Sequence, residues 1–532
     1  MARARAADVD PFALSPEQLF DATVTSVSKS TEALKDAPAA AFVITGEDIA
    51  RSGATSVPEI LRLAPNLQVA QMSADSYAIS ARGFNGNAAD KLLVMIDGRS
   101  VYTPLYGGVL WDEQDVLPDD IERIEVISGP GAALWGANAV NGVINIITKQ
   151  ADETQGGVAD FGTGNLQSRA SLQYGGALAD DLHYRVYGDI FSVPHGKLST
   201  GAAAADGWGK SQGGFRLDWA QGGDTLSLEG DLYDGSESSA PAQDISGGNI
   251  QATWQHALDD GSMLQVLSYY DATQRYSGPY GYSLDTYDLE LQHSFAWGDR
   301  QNFIWGGGVR VYRDRFDLDA AAVQFIPDQR TVDLGDVFAQ DSIRLAAALK
   351  LTLGLKFEAD PYAAPEPLPS ARLSFRLDDA TMLWAAVSRA VRAPTRFDVD
   401  LNDAVIPSVL NLQGAQNFKP EKLVAYEAGS RLQLTALASL SVSIFYNAYD
   451  DLRSVEWANM TTLPLLWSFG NSMKGHVYGL EAWGGYQPFD WWRLTASFNL
   501  QHESLSFKAG SSALGGVSAA GDDPNHQTSL GS

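Results

Sequence analysis

Three observations predict the fold class of this chain, a transmembrane antiparallel β-barrel with a compact α+β domain ahead of it. Apolar and polar residues alternate with period two beyond Gln155, aromatic residues sit near the ends of the alternating runs, and a region of mixed strands and helices precedes them. The densest part of the smaller domain is Glu122–Lys149, ERIEVISGPGAALWGANAVNGVINIITK. Ile124 and Val126, then Val143, Ile144, Ile146 and Ile147, are β-branched runs that read as strands. Between them, Ser128-Gly129-Pro130-Gly131, Gly136 and Asn141-Gly142 provide the backbone freedom and fixed φ that tight reversals need. A phosphate cradle is excluded, because no Lys-Ser/Thr pair follows the glycines and no amphipathic helix is there to hold an anion at its N-terminus.

From the N-terminus, Met1–Ala7 carries Ala4-Arg5-Ala6, a small-x-small pattern, and reads as the remnant of a signal peptide without its apolar region. Asp8–Lys35 is polar and is expected to be a mobile arm, within which Asp21, Ala22, Thr23, Val24, Thr25, Ser26 and Val27 alternate as a strand does. Phe42-Val43-Ile44 predicts a strand, and Thr45 with Glu47-Asp48 a short helix that Gly53 stops. Ser56-Val57-Pro58-Glu59 reads as a capping box opening a second helix with Ile60, Leu61 and Leu63 as its buried side and Pro65 as its end. Beyond Gln155, Leu226, Leu228, Gly230 and Leu232 alternate with polar residues, as do Leu349 to Phe357, Leu440 to Tyr446 and Leu494 to Leu500. A soluble sandwich would alternate too. Strand lengths of about ten residues, repetition over roughly four hundred residues, and aromatics such as Tyr269-Tyr270, Trp305, Trp384 and Trp491-Trp492 select the membrane barrel.

Composition narrows the function. A net charge of −28 opposes binding to nucleic acid and fits acidic loops with a polar lumen. There is no cysteine, so disulfide frameworks and Cys-ligated metals are excluded, and the seven histidines form no local ligand pair. No catalytic constellation or nucleotide motif is present, so neither an enzyme nor a cofactor is expected.

The Glu122–Lys149 stretch resembles the C-terminal end of the plug domain of TonB-dependent outer-membrane receptors. Arg82-Gly83-Phe84, Leu93–Arg99 (LVMIDGR) and Ser100–Pro118 (SVYTPLYGGVLWDEQDVLP) resemble further plug signatures in the family's order. Ser388–Pro394, Lys419–Lys422, Tyr426–Gly429 and Tyr478–Glu481 resemble its barrel segments. Position 128 departs from the family, with Ser where a basic residue is common.

The resemblance implies a periplasmic arm over 1–36, a plug over 37–150 filling the barrel, and a barrel over 155–532. About seventeen or eighteen strands are counted where the family has twenty-two, so a C-terminal truncation is expected. It further implies an outer-membrane receptor of a Gram-negative bacterium that takes up a scarce nutrient, most often an iron–siderophore complex. Cobalamin, haem or ligand binding without transport are the alternatives. Asp21–Val27 resembles a TonB box, through which TonB and its inner-membrane energising complex would pull by adding a strand. The matching latch positions between plug and barrel are Arg82 and Arg123 on the plug and Glu427 and Glu481 on the barrel. Tyr102, Tyr106 and Trp111, with Tyr280 and Tyr282 outside them, are the ligand candidates, since aromatic faces receive apolar or planar chelates. Membrane lipid, colicins and phage are the other partners the family suggests.

Overall fold

The structure, a computed structural model, describes residues 22–86, 89–239, 241–319, 322–489, 491–513, 516–521 and 523–532. Asp21 and the arm before it lie outside the described residues. The smaller domain is built on a five-stranded sheet in the order Ala40–Thr45, Ile121–Ser128, Gly142–Thr148, Leu92–Ile96, Arg99–Ser100. Its β-branched residues fill one core: Ile44, Val94, Ile124, Val126, Ile144 and Ile146 pack with Ile60 and Leu61 of the short helix Val57–Leu61.

Local chemistry explains the helices. Thr45 caps Gly46–Ser52 by accepting from the Asp48 N–H while Asp48 reaches back to the Thr45 N–H, and Gly53 ends the helix at φ +66°. Ser56 does stand at the next N-cap, but its side chain makes no capping bond. Glu59 is drawn away by Arg62 at 2.8 Å and by the Tyr77 hydroxyl, which donates at 2.9 Å. Leu63, expected on the buried side, falls past the helix end and is exposed.

The larger domain is one sheet of 21 strands from Gly156–Thr163 to His526–Gly531. Three of these lie outside the wall, which leaves eighteen in it: Leu401–Ile406 and Leu410–Gln413, both on the connection after Thr381–Arg392, pair with each other, and Val323–Phe325, on the connection after Gln301–Asp317, pairs with Leu401–Ile406. The wall strands are antiparallel neighbours in sequence order, and they surround the smaller domain. Among the described residues no ladder joins Gly156–Thr163 to His526–Gly531. Connections such as 222–223, 347–348 and 436–437 are short at one end, whereas 194–207, 393–420 and 508–525 lie at the other, which makes the first end periplasmic and the second extracellular.

Alternation sets the two faces of the wall. Leu353, Leu355 and Phe357 point outward and Thr352 and Lys356 inward, and Ile444 and Tyr446 point outward against buried Ser441 and Ser443. Not every terminal aromatic follows the expected outward belt. Trp491 and Trp305 are exposed, but Trp384 and Tyr269 fall on inward parity and are buried, Trp384 beside Ala40 of the inner domain.

Candidate functional site

Arg82 lies in a turn where three successive residues, Arg82, Gly83 and Phe84, all have positive φ. That conformation is costly for Arg and Phe, and it aims the guanidinium at the wall. Arg82 Nη1 donates to Glu427 at 2.7 Å, and Nε and Nη2 form a fork on Glu481 at 3.0 and 2.9 Å. The guanidinium sits 4.3 Å from the Phe445 ring centroid, and Ser443 donates to the second Glu481 oxygen at 3.0 Å. Burial opposes the charge on Arg82, but the two carboxylates outweigh it and hold the guanidinium protonated above its ordinary range. Gly129, at φ +93°, borders this cluster, and a Cβ there would collide with the Glu427 carboxylate and Arg82 Nη1. Glycine is therefore required for the close approach.

Arg123 is not part of that cluster. The register that pairs it with Thr45 and Ile147 places its side chain beside Glu122 at 2.5 Å and Glu125 at 3.0 Å, both on the inner domain. Ser128 instead hydrogen-bonds Asn66 at 2.8 Å and carries no charge to the wall.

Glu125, 1% exposed, is a functional candidate that the sequence reading passed over. Its carboxylate accepts from the backbone N–H groups of Thr25, at 3.0 Å, and Ser26, at 2.8 Å, with Arg123 steadying it from behind. The segment Ala22–Val27 is thus docked rather than a free arm. Thr23-Val24 pairs with Glu32-Ala33, Val24 and Val27 are buried, and the Trp135 indole donates to the Ser26 carbonyl at 2.8 Å. An acidic residue two positions from Arg123, set between the β-branched residues Ile124 and Val126, was the signal available for it.

At the extracellular end, the apical loop is covered. Backbone N–H groups of Arg396 and Phe397 donate to the carbonyls of Pro104 and Leu105 at 3.2 and 2.9 Å, laying the helix Arg396–Asp400 over the apex. The helix begins at Thr395, which makes a reciprocal cap with Asp398. Beneath it, Arg392 bonds Asp398 at 2.7 Å and Glu421 at 3.1 Å, Arg453 bonds Asp398 at 3.1 Å, and Lys91 of the apex side meets Glu421 at 2.6 Å. Arg392 was visible within the Ser388–Pro394 segment, but its partners are set by the long loop.

The aromatic candidates separate accordingly. Tyr102 is buried with its hydroxyl on the Asp90 carbonyl at 3.0 Å, and Trp111 is packed in the inner core, so neither ring lies open at the extracellular surface. Tyr106 stands between the rings of Tyr282, Phe325 and Phe397, with centroids about 6 Å away. Tyr282 is buried, whereas Tyr280 is exposed and apart from them. Next to this cluster Arg275 gathers Asp112, Glu113 at 3.2 Å and Glu237 at 3.1 Å. Burial pushes the Glu113 carboxyl up to about 7, Asp112 adding to the rise and Arg275 opposing it.

A barrel wall ion-paired to an inner domain, with a covered extracellular apex and a docked periplasmic segment, defines a plugged barrel. The chain belongs to the TonB-dependent receptor family: residues 151–532 match the model "TonB dependent receptor-like, beta-barrel", and residues 33–143 the "TonB-dependent Receptor Plug Domain". It is accordingly a β-barrel protein of the Gram-negative outer membrane. The ferric enterobactin receptor of Pseudomonas aeruginosa is 25% identical over 459 residues, covering 71% of this chain and 61% of that protein. The chain therefore spans about three fifths of that relative's length. The vitamin B12 transporter BtuB of Photobacterium profundum is 24% identical over 531 residues, 88% of this chain and 78% of its own. Among solved structures, the siderophore receptor PirA from Acinetobacter baumannii superposes with a TM-score of 0.74 at 20% identity, over 87% of this chain and 80% of that one.

Proposed function

We propose that this protein is a receptor for TonB-dependent active uptake of a scarce nutrient, an iron–siderophore complex by first preference. The observation that carries this reading is the docking of Ala22–Val27 on Glu125 at the periplasmic end of the plug, in a segment whose strand-forming backbone a partner could recruit once it is freed. Ligand would bind near Tyr106 and Tyr282, shift the apex, and raise the population of the released segment. TonB would then capture it, and the inner-membrane proton gradient would supply the work. The relatives named for ferric enterobactin and siderophores support an iron chelate, and the vitamin B12 transporter makes cobalamin the second candidate.

Arg82, Glu427 and Glu481 act in this reading as the latch that keeps the plug seated until the pull. The test is growth of a receptor-deletion strain on single sources of iron chelate, haem or cobalamin, with the receptor restored intact or lacking Ala22–Val27. Restored growth on one source with the intact receptor only is expected. Growth that persists without Ala22–Val27, or in a strain lacking TonB, would refute the energised mechanism.

A further inference from the structure

Charge, more than shape, marks the ground around Tyr106 at the extracellular apex. Nearest to it, Arg275 stands among Asp112, Glu113 at 3.2 Å and Glu237 at 3.1 Å, one cation to three carboxylates. The Tyr282 hydroxyl donates to the same Glu113 at 3.4 Å, which joins this group to the aromatic cluster. Under the covering helix, Arg396 bonds Asp400 at 2.5 Å and lies 3.2 Å from Asp314, and Arg330 reaches both oxygens of Asp400 at 2.9 Å. Behind these, Lys91, Arg392 and Arg453 share Asp90, Asp398 and Glu421.

Each of these six cations is thus already bonded, and together they face eight carboxylates. The second and third groups balance, so the excess falls at Arg275. Two more cations flank that group, Lys210 and Arg169, which share the Phe191 ring and lie in the field of Asp115 and Asp189. Lys210 is 2% exposed, and its ammonium donates to the Asp112 backbone carbonyl at 3.2 Å. Burial and Asp112 lift the Glu113 carboxyl to about 7 against the pull of Arg275, the response of a crowded acid that lacks a second cation.

The two signs of charge are therefore received unequally. An anion brought to Tyr106 either goes without a counter-ion or takes Arg275 or Arg396 from a carboxylate, which is then stranded in the interior. A cation meets carboxylates in excess of their partners. It also meets the rings of Tyr106, Tyr282, Phe325 and Phe397, whose faces attract positive charge. Arg396 shows that these rings accept a cation, since its guanidinium lies 5.6 and 5.8 Å from the centroids of Phe316 and Phe325.

Chelate chemistry turns this into a choice of cargo. Iron(III) held by three doubly charged catecholates is left a trianion, and haem brings its propionates. Iron(III) held by three singly charged hydroxamates is neutral, and one pendant ammonium makes it a cation. We propose that the cargo of this receptor is an uncharged or cationic chelate, such as a ferric tris-hydroxamate bearing an ammonium group, rather than an anionic one, and that Glu113 and Glu237 beside Arg275 set that preference. The proposal rests on the uptake reading above, in which cargo settles near Tyr106 and Tyr282, and narrows its chemistry.

Because the chain has no cysteine, a single introduced thiol reads the local potential without any cargo. In the purified full chain, methanethiosulfonate reagents carrying a trimethylammonium or a sulfonate are compared on Tyr106→Cys and on Leu110→Cys, half-buried in the same cluster, with exposed Tyr280→Cys as the reference. The ratio of cationic to anionic rate should be about tenfold higher in the cluster than at the reference, the low end for a cleft lined by one sign of charge. Adding Glu113→Gln or Glu237→Gln should lower it about threefold, half of that free energy. In cells, the receptor should restore growth on a ferric tris-hydroxamate with a pendant ammonium, less on its anionic succinyl derivative, and not on a ferric tris-catecholate or haem. A ratio equal to the reference, or unmoved by both substitutions, overturns the proposal, as does growth on the anionic chelates alone. A cationic preference at the thiols with no growth on any chelate would strike the uptake reading by itself.

Discussion

Removing Arg82 should unseat the plug more than any other single truncation at the latch. Its guanidinium makes three charge-assisted hydrogen bonds, at 2.7, 2.9 and 3.0 Å, to carboxylates that are themselves 1% and 5% exposed at the side chain. Each bond to a charged group is worth about 1.5–3 kcal/mol, but the three are not additive, because the ions were desolvated to form them. What remains in Arg82→Ala is a pair of buried carboxylates that have lost the cation bonded to both, with only Arg372 near Glu427, and stranding a buried charge costs about 3–5 kcal/mol. We expect a loss of that size in unfolding in detergent, accompanied by faster hydrogen exchange over residues 78–86 and a leak of bulky antibiotics. Replacing all three groups, in Arg82→Met/Glu427→Gln/Glu481→Gln, should recover part of the loss because no uncompensated charge is left. A triple variant as damaged as the single one, or an Arg82→Ala within about 0.5 kcal/mol of the parent, would refute the latch.

Glu125→Ala should free Ala22–Val27, seen as faster proteolysis between residues 22 and 31 with the barrel intact, whereas Glu125→Gln should retain part of the hold; equal resistance in all three proteins would contradict the docking role. The apex should loosen with rising pH: the folded Glu113 carboxyl lies near 7, above its ordinary 4.5, so its contribution is fully present below about 4.5 and lost as pH rises through about 7. The protection factor over Thr103–Val109, which removes the base-catalysed rise in intrinsic exchange, should therefore fall between pH 6 and pH 8 in the parent and stay level in Glu113→Gln, and a rise over that range would reverse the sign. On the wall, Leu353→Arg should destabilise by about 2–4 kcal/mol as a lipid-facing midplane charge, while Thr495→Arg in the lumen should be tolerated. Equal losses at the two positions would overturn the inside and outside assignment.

The fold was legible because its two periods are local. Alternation needs only neighbouring residues, and Leu353 and Thr352 declare their faces without reference to anything distant. Arg82, Glu427 and Glu481 could be singled out by their motifs, and the structure brings the three together. Arg123 was misplaced because its motif fixed the strand but not which side of the sheet faced the wall, and strand register aims it at Glu125. Trp384 and Tyr269 show the same weakness, since proximity to a strand end says nothing about parity. The cover over the apex was not legible. It depends on residues 396–397 meeting residues 104–105, a contact between a single helical turn and a loop nearly three hundred positions apart, for which no periodic signal exists.

That cover changes the arithmetic of recognition. The carbonyls of Pro104 and Leu105 already have donors, and Tyr106 already has three aromatic neighbours, so the protein is its own competitor for this ground. Any molecule that comes to rest there makes an exchange, and its apparent dissociation constant is the intrinsic one divided by the fraction of time the helix Arg396–Asp400 is lifted. Affinity can then be raised from outside the contact surface. Weakening the Asp398 anchor to Arg392 and Arg453 should tighten binding while leaving every contact with the bound molecule as it was. Selection on the loop 393–420 would tune the threshold at which the receptor responds to scarcity, independently of what it recognises.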